Sequence, residues 1–152
     1  MLPGANYILL VENNPADEQR TLNALRKNHI ANGVVIAHDG VEALDFLHGT
    51  GAHAGRDTRM QPELVLLDRN LPRLDGDEVL TRVRGDARTR HVPVVVLTSS
   101  QAEEDALHGS NVGAVACVRK PVELAPFSAA LKRLGLCWLL LDERWPPASR
   151  SR

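Results

Sequence analysis

Apolar and polar positions along the chain alternate between short β-rich runs and stretches of helical period. Tyr7-Ile8-Leu9-Leu10-Val11 is a strand that stops at Glu12-Asn13. Asn14-Pro15 then reads as an N-cap with proline at the first helical position, and Asp17 and Glu18 fall in the first turn. Leu22 and Leu25 mark the core face of this helix, which is expected to end near Asn28. Val34-Val35-Ile36-Ala37 is a second strand, and Asp39-Gly40 opens a short helix carrying Val41, Leu44 and Leu47. Residues 48–62 are rich in Gly, Ala and Arg and read as a mobile loop. Leu64-Val65-Leu66-Leu67 is a third strand, apolar on both faces, ending at Asp68. A turn through Pro72 leads into a helix with Val79, Leu80 and Val83. Val94-Val95-Val96-Leu97 is a fourth strand ending at Thr98, with a weakly amphipathic helix expected over residues 102–110. Ala114-Val115-Ala116-Cys117-Val118 is a fifth strand ending at Arg119-Lys120-Pro121. The last helix carries Phe127, Ala130, Leu131 and Leu134 at i, i+3, i+4 and i+7.

Five strands alternating with five helices predict an α/β fold: a doubly wound, five-stranded parallel sheet in a flavodoxin-like three-layer sandwich. One domain is expected over residues 1–135, followed by a C-terminal extension, 136–152, with a frayed tail. Along that extension one apolar face runs on through Leu134, Trp138, Leu141 and Trp145, while Leu136, Cys137, Leu139 and Leu140 make the other faces apolar too. A surface helix of a monomer needs only one apolar stripe, so the excess points to a second buried surface. A symmetric homodimer through this segment is expected; the alternative is a cap folded back on its own domain.

Composition narrows the function classes. Eighteen basic residues against 19 acidic ones give a net charge of −1, so no bulk field draws the chain to nucleic acid or an anionic membrane. The longest apolar run, residues 136–141, is far short of the ~20 residues that span a bilayer. The N-terminus lacks the basic and apolar regions of a signal peptide. Two cysteines cannot make a disulfide framework and suit a reducing cytoplasm. Aromatics at 3% leave little for a flavin stacking platform, and Gly49, Gly51 and Gly55 neither follow a strand nor open a helix as a phosphate loop would. The six histidines show no metal-ligand spacing.

In a doubly wound sheet, ligands bind at the carboxyl ends of the strands. Here those ends carry Glu12 and Asn13, Asp68, Thr98 and Lys120. Two carboxylates with an adjacent amide make a hard, oxygen-rich site suited to Mg²⁺, and Asn70 can add its backbone carbonyl. A lysine ammonium holds an anion as a point charge, and a threonine hydroxyl can donate to a phosphoryl oxygen. A carboxylate that attacks phosphorus meets like-charge repulsion, which a divalent cation and a lysine relieve. Asp68 is the expected nucleophile, forming an aspartyl phosphate, with Pro72 and Gly76 shaping the turn behind it. Taken one at a time, Asp68 reads as a helix cap, Lys120 as a surface charge, and Asn13 as either a ligand or a turn residue; the rim argues for the shared role.

Five segments in order resemble the CheY-like receiver domain of two-component response regulators: residues 11–17, 39–44, 66–76, 92–100 and Lys120-Pro121. The resemblance runs from Tyr7 to Leu134. Asn14-Pro15-Ala16-Asp17, the stretch at 101–105 and Trp138-Leu139 further resemble short single-domain regulators paired with phytochrome-type histidine kinases. The resemblance implies a stand-alone phosphoacceptor served by such a kinase. Asp68 would be the acceptor, Lys120 the phosphate-sensing lysine, Thr98 the switch hydroxyl and Glu12 the outer acid of a Mg²⁺ site. Pro121 would follow a cis peptide bond. Mg²⁺-dependent self-phosphorylation and slow autodephosphorylation are within its scope, and output would pass through a protein contact unless the chain is an intermediate or phosphate sink in a relay.

Three positions depart from the family pattern. Asn13 stands where a second acid is usual, which predicts weaker Mg²⁺ binding and slower phosphorylation. Cys117 stands at the aromatic switch position, three residues before the lysine, and reads as a small buried hydrophobe. Arg69 follows the acceptor where an apolar residue is common, so that it would shield the phosphoryl group or meet a partner. Asn13 and Cys117 keep an alternative open: a pseudo-receiver that binds partners without phosphotransfer. A small flavodoxin-like enzyme is the third class, disfavoured by the scarcity of aromatics.

Overall fold

The computed structural model describes residues 7–27, 33–100 and 116–133. The helix expected at 102–110, residues 114 and 115 of the fifth strand, and Leu134, Trp138, Leu141 and Trp145 of the expected dimer stripe lie outside the described residues.

Five parallel strands, β1 (Tyr7–Val11), β2 (Gly33–Ala37), β3 (Leu64–Asp68), β4 (Val94–Thr98) and β5 (Ala116–Arg119), form one sheet in the order β2-β1-β3-β4-β5. Among the described residues the helices are α1 (Pro15–Lys27), α2 (Gly40–His48), α3 (Gly76–Gly85) and α4 (Leu124–Arg133). Strand register sets Val11 beside Ala37 and Leu67, and Asp68 beside Leu97. The expected α/β class and parallel sheet are therefore present.

Alternation along the strands divides the core in two. Ile8, Leu10, Leu64, Leu66, Val95, Leu97 and Val118 face one side, where Leu25 of α1 and Phe127, Ala130 and Leu131 of α4 close over them. Leu9, Val11, Val65, Leu67, Val94 and Val96 face the other, against Leu44 and Leu47 of α2 and Val79, Leu80 and Val83 of α3. A strand covered on both faces reads as an unbroken apolar run, which is why β1, β3 and β4 are buried at every residue.

The helices start where their sequence signals say. Asn14 Oδ1 accepts the Asp17 N–H at 3.0 Å. Asp39 caps α2 through the Glu42 N–H at 2.8 Å, and Asp75 caps α3 through the Glu78 N–H at 3.0 Å. Each cap lies beyond the carboxyl end of a strand, so three helix N-termini approach the same rim.

The segment at 48–62 differs from the mobile loop expected of its composition. It contains a 3₁₀ turn, Gly51–His53, and is tied to β1. The Arg56 guanidinium lies 4.0 Å from the centre of the Phe46 ring and donates to Met60 O at 2.7 Å and Tyr7 Oη at 2.6 Å. Tyr7 Oη donates to the same carbonyl at 2.7 Å. This cation–aromatic cluster sits at the amino ends of the strands, away from the rim.

α2 meets the β3–α3 connection without clearance. A Cβ on Gly40 would run into the Leu74 carbonyl oxygen and lie 2.8 Å from Val79 Cγ2. Gly40→Ala is expected to lower stability by about 1–3 kcal/mol in a denaturant titration, through the overpacking it forces; an unchanged midpoint would show that α2 can shift away.

Candidate functional site

The carboxyl rim gathers the residues that the sequence singles out. Glu12 follows β1, and its backbone N–H donates to Ala37 O at 2.9 Å, which holds the side chain at the strand end. Asp68 is the last residue of β3. Behind it, Gly76 lets α3 begin against the turn, since a Cβ there would stand 2.7 Å from both the Asp68 carbonyl oxygen and the Arg69 Cα. Thr98 ends β4, and its carbonyl accepts the Lys120 N–H at 2.8 Å. Lys120 follows β5, and its peptide bond to Pro121 is cis, as expected.

The Lys120 ammonium is the meeting point. Nζ lies 3.0 Å from Asp68 Oδ2, 3.6 Å from Glu12 Oε1 and 2.8 Å from Asp17 Oδ2. Glu12 and Asp68 are almost fully removed from water, with residue exposures of 0% and 2%. Asp68 Oδ1 accepts the Asn70 N–H at 3.0 Å, and Glu12 Oε2 accepts the Asn14 N–H at 3.2 Å. At the rim, two buried oxygen atoms of the described residues have no hydrogen-bond partner: Glu12 Oε1, whose contact with Lys120 is an ion pair at 3.6 Å, and Thr98 Oγ1. Leaving such groups unpaired costs about 1–3 kcal/mol each, a sign of a site arranged for something other than stability.

Electrostatics follow from this crowding. Burial, then the hydrogen bond and the negative charge of Asp68, push the Glu12 carboxyl from its ordinary 4.5 up to about 8. Burial alone would lower the Lys120 ammonium, but hydrogen bonds to Asp17 and Asp68 raise it on balance. Asp17 is held below the usual carboxylate range, chiefly by its hydrogen bond from Lys120.

Asp17 is the residue that sequence reasoning passed over. In the sequence it stands as an acid in a first helical turn and as part of the Asn14–Asp17 resemblance, and neither gives it a role at the rim. The overlooked signal was position: α1 starts at the rim, so its first turn overlooks the β1 and β3 ends. Asn13, by contrast, is exposed on that rim. Cys117 is half-buried rather than fully buried and packs against the α2–α3 side of the core. The Arg69 guanidinium is forked onto Asp77 of α3, with Nε 3.1 Å and Nη2 3.0 Å from its carboxylate oxygens.

Among the described residues no three His, Cys, Asp or Glu side chains are arranged as a ready metal cage. The fit to a divalent cation rests on the unpartnered Glu12 Oε1 beside Asp68, a hard oxygen pair whose mutual repulsion a cation would relieve. Asn13 and the Asn70 carbonyl are the remaining oxygen donors nearby in sequence. Among the described residues no helix is long and apolar enough to cross a membrane.

Comparison with known proteins turns this fold and rim into a class. Residues 8–132 match the response regulator receiver domain, and the chain belongs to that family, whose function is to accept a phosphoryl group. It is similar to the bacteriophytochrome response regulator AtBRR, with 48% identity and a TM-score of 0.82, covering 91% of this chain and 98% of that one. The bacteriophytochrome response regulator RtBRR shows 42% identity and a TM-score of 0.82, over 93% and 84% of the two chains. Response regulator Rcp1 of Synechocystis sp. is 38% identical over 100 residues, which span 66% of each chain. The Mn²⁺-bound form of Rcp1 superposes with a TM-score of 0.67 at 29% identity, over 95% of this chain and 97% of that one.

The raised Glu12 carboxyl has a measurable consequence. Between about 4.5 and about 8 the folded chain keeps a proton that the unfolded chain has released, so this group's contribution to stability is full at low pH and is lost as pH rises through about 8. A bound cation displaces that proton, so its affinity rises over the same window. Calorimetric titration with Mg²⁺ is expected to show affinity rising about tenfold or more from pH ~6 to pH ~8.5. In Glu12→Gln that rise should vanish, and a flat profile in the unsubstituted protein would contradict the buried proton.

Proposed function

We propose that the chain takes a phosphoryl group on Asp68 from a sensor histidine kinase and passes the signal on through a protein contact. The observation that carries this reading is the Lys120 ammonium 3.0 Å from Asp68 Oδ2 beside a second buried acid, Glu12, at the carboxyl rim. In the transfer, an Asp68 oxygen attacks the phosphorus of a phosphohistidine. The new O–P bond forms as the N–P bond breaks, and the electron pair returns to the imidazole nitrogen. Asp68 Oδ1 is aligned by the Asn70 N–H. Lys120 donates to one phosphoryl oxygen, and the buried, unpartnered Thr98 hydroxyl donates to another. Glu12, Asp68, Asn13 and the Asn70 carbonyl would hold Mg²⁺, which when bound neutralises charge between carboxylate and phosphoryl group.

Similarity to two bacteriophytochrome response regulators supports a phytochrome-type kinase as the donor. Two cysteines, too few for a disulfide framework, support a reducing, cytoplasmic setting. The half-buried Cys117 cannot turn as an aromatic ring would, so the switch is carried by Thr98 and the backbone around it. Arg69, engaged by Asp77, stiffens the turn after the acceptor.

Beryllofluoride, which mimics the aspartyl phosphate, tests the assignment. Saturable, Mg²⁺-dependent binding is expected in the unsubstituted protein, lost in Asp68→Asn and strengthened about tenfold in Asn13→Asp by the added ligand charge. Failure to bind at high Mg²⁺ would instead support a pseudo-receiver, the reading that neutral Asn13 favours.

We also propose that the chain self-associates through the apolar stripe at Leu134, Trp138, Leu141 and Trp145. Light scattering at micromolar concentration should give a dimer for the full chain and a monomer after truncation at Leu134. A monomeric full chain would defeat the proposal.

A further inference from the structure

Lys120 is held from two sides, and the side away from the acceptor has no role in the transfer just described. Nζ is 2.8 Å from Asp17 Oδ2, closer than to Asp68 at 3.0 Å or Glu12 at 3.6 Å. The second Asp17 oxygen, Oδ1, accepts from Arg20 Nη1 at 3.0 Å. Arg20 lies one turn further along α1. The side chains therefore form a chain of alternating charge, Arg20–Asp17–Lys120, that runs from the surface of α1 to the rim. Asp17 itself is fixed to the helix start, because its N–H donates to Asn14 Oδ1.

We propose that Asp17 is a positioning residue that shares the Lys120 ammonium with the carboxylate pair and draws part of its charge away, leaving Glu12 and Asp68 more available to a divalent cation. The inference rests on the phosphoacceptor reading above. An ammonium and a metal ion compete for the same carboxylate oxygens, and Lys120 is a competitor already tethered in the pocket. Each part of its charge engaged by Asp17 is withdrawn from Glu12 and Asp68. Arg20 balances the Asp17 charge, so Asp17 acts mainly through Lys120 rather than on the cation directly. Asn13 makes this matter more here: with no acid at position 13, the pocket has little charge to spare on an internal counter-ion. Once Asp68 carries the phosphoryl group, the same anchor leaves the remaining ammonium protons directed at the rim.

The test is a double-mutant cycle read by Mg²⁺ binding, with no kinase present. The four proteins are unsubstituted, Asp17→Ala, Lys120→Met, and the double variant. Asp17→Ala is expected to weaken Mg²⁺ binding about fivefold by calorimetry, because Lys120 closes on the two acids. In the Lys120→Met background the same substitution should change affinity less than twofold. Asp17→Asn, which keeps the size of the side chain and removes its charge, is expected to behave as Asp17→Ala does. Unchanged affinity in both Asp17 variants overturns the inference. So does an equal loss with and without Lys120, because Asp17 would then act on the cation itself. If the unsubstituted protein binds no Mg²⁺ and no beryllofluoride, the phosphoacceptor reading falls as well, and that failure is visible before any Asp17 variant is made.

Discussion

Two carboxyl groups almost completely removed from water, Glu12 and Asp68, share one ammonium, Lys120. Unit charges of like sign ~4 Å apart repel by about 4 kcal/mol at an effective dielectric of ~20. A single lysine cannot cancel two such acids and serve Asp17 as well. The pocket responds by keeping a proton on Glu12 to unusually high pH. It is an assembly of charge left incomplete, and each feature around it either tolerates that imbalance or exploits it. A divalent cation and a phosphoryl group are the two partners whose charges complete it in turn.

Topology is what permits such an arrangement. Glu12, Asp68, Thr98 and Lys120 come from four strand ends, and parallel strands with both faces covered deliver those ends to one edge. The apolar layers on either side of the sheet contribute the stability that the rim spends. Gly40 and Gly76 let helices start within van der Waals range of neighbouring backbone, so the β3–α3 turn sits tightly behind Asp68. At the opposite end of the sheet, Arg56 locks the long α2–β3 connection onto Phe46 and Tyr7, far from the chemistry.

Much of this was legible in sequence because it follows local rules. Unbroken apolar runs at β1, β3 and β4 announce strands buried on both faces, and the polar residue that ends each run marks the rim. Asn14 and Asp39 stand at helix starts as caps must. What escaped depends on contacts between distant positions. Arg56 finds Tyr7 across 49 residues, so a loop that looked unconstrained by composition is pinned. Lys120 finds Asp17 across 103 residues, and nothing local distinguishes that acid from Glu18 beside it. Arg69, expected to face a phosphoryl group or a partner, is engaged by Asp77, eight residues further along. Side-chain pairing at these separations is set by the fold and leaves no periodic trace.

We propose above that the carboxyl group of Asp68 bears the phosphoryl group. The most direct test is intact-protein mass spectrometry after incubation with a phosphorylated bacteriophytochrome-type histidine kinase and Mg²⁺, followed by borohydride trapping and peptide mapping. A gain of one phosphoryl group per chain is expected, with the reduced residue located at position 68. A full complement of unmodified chain, or a modification mapped to any other residue, would contradict the proposal.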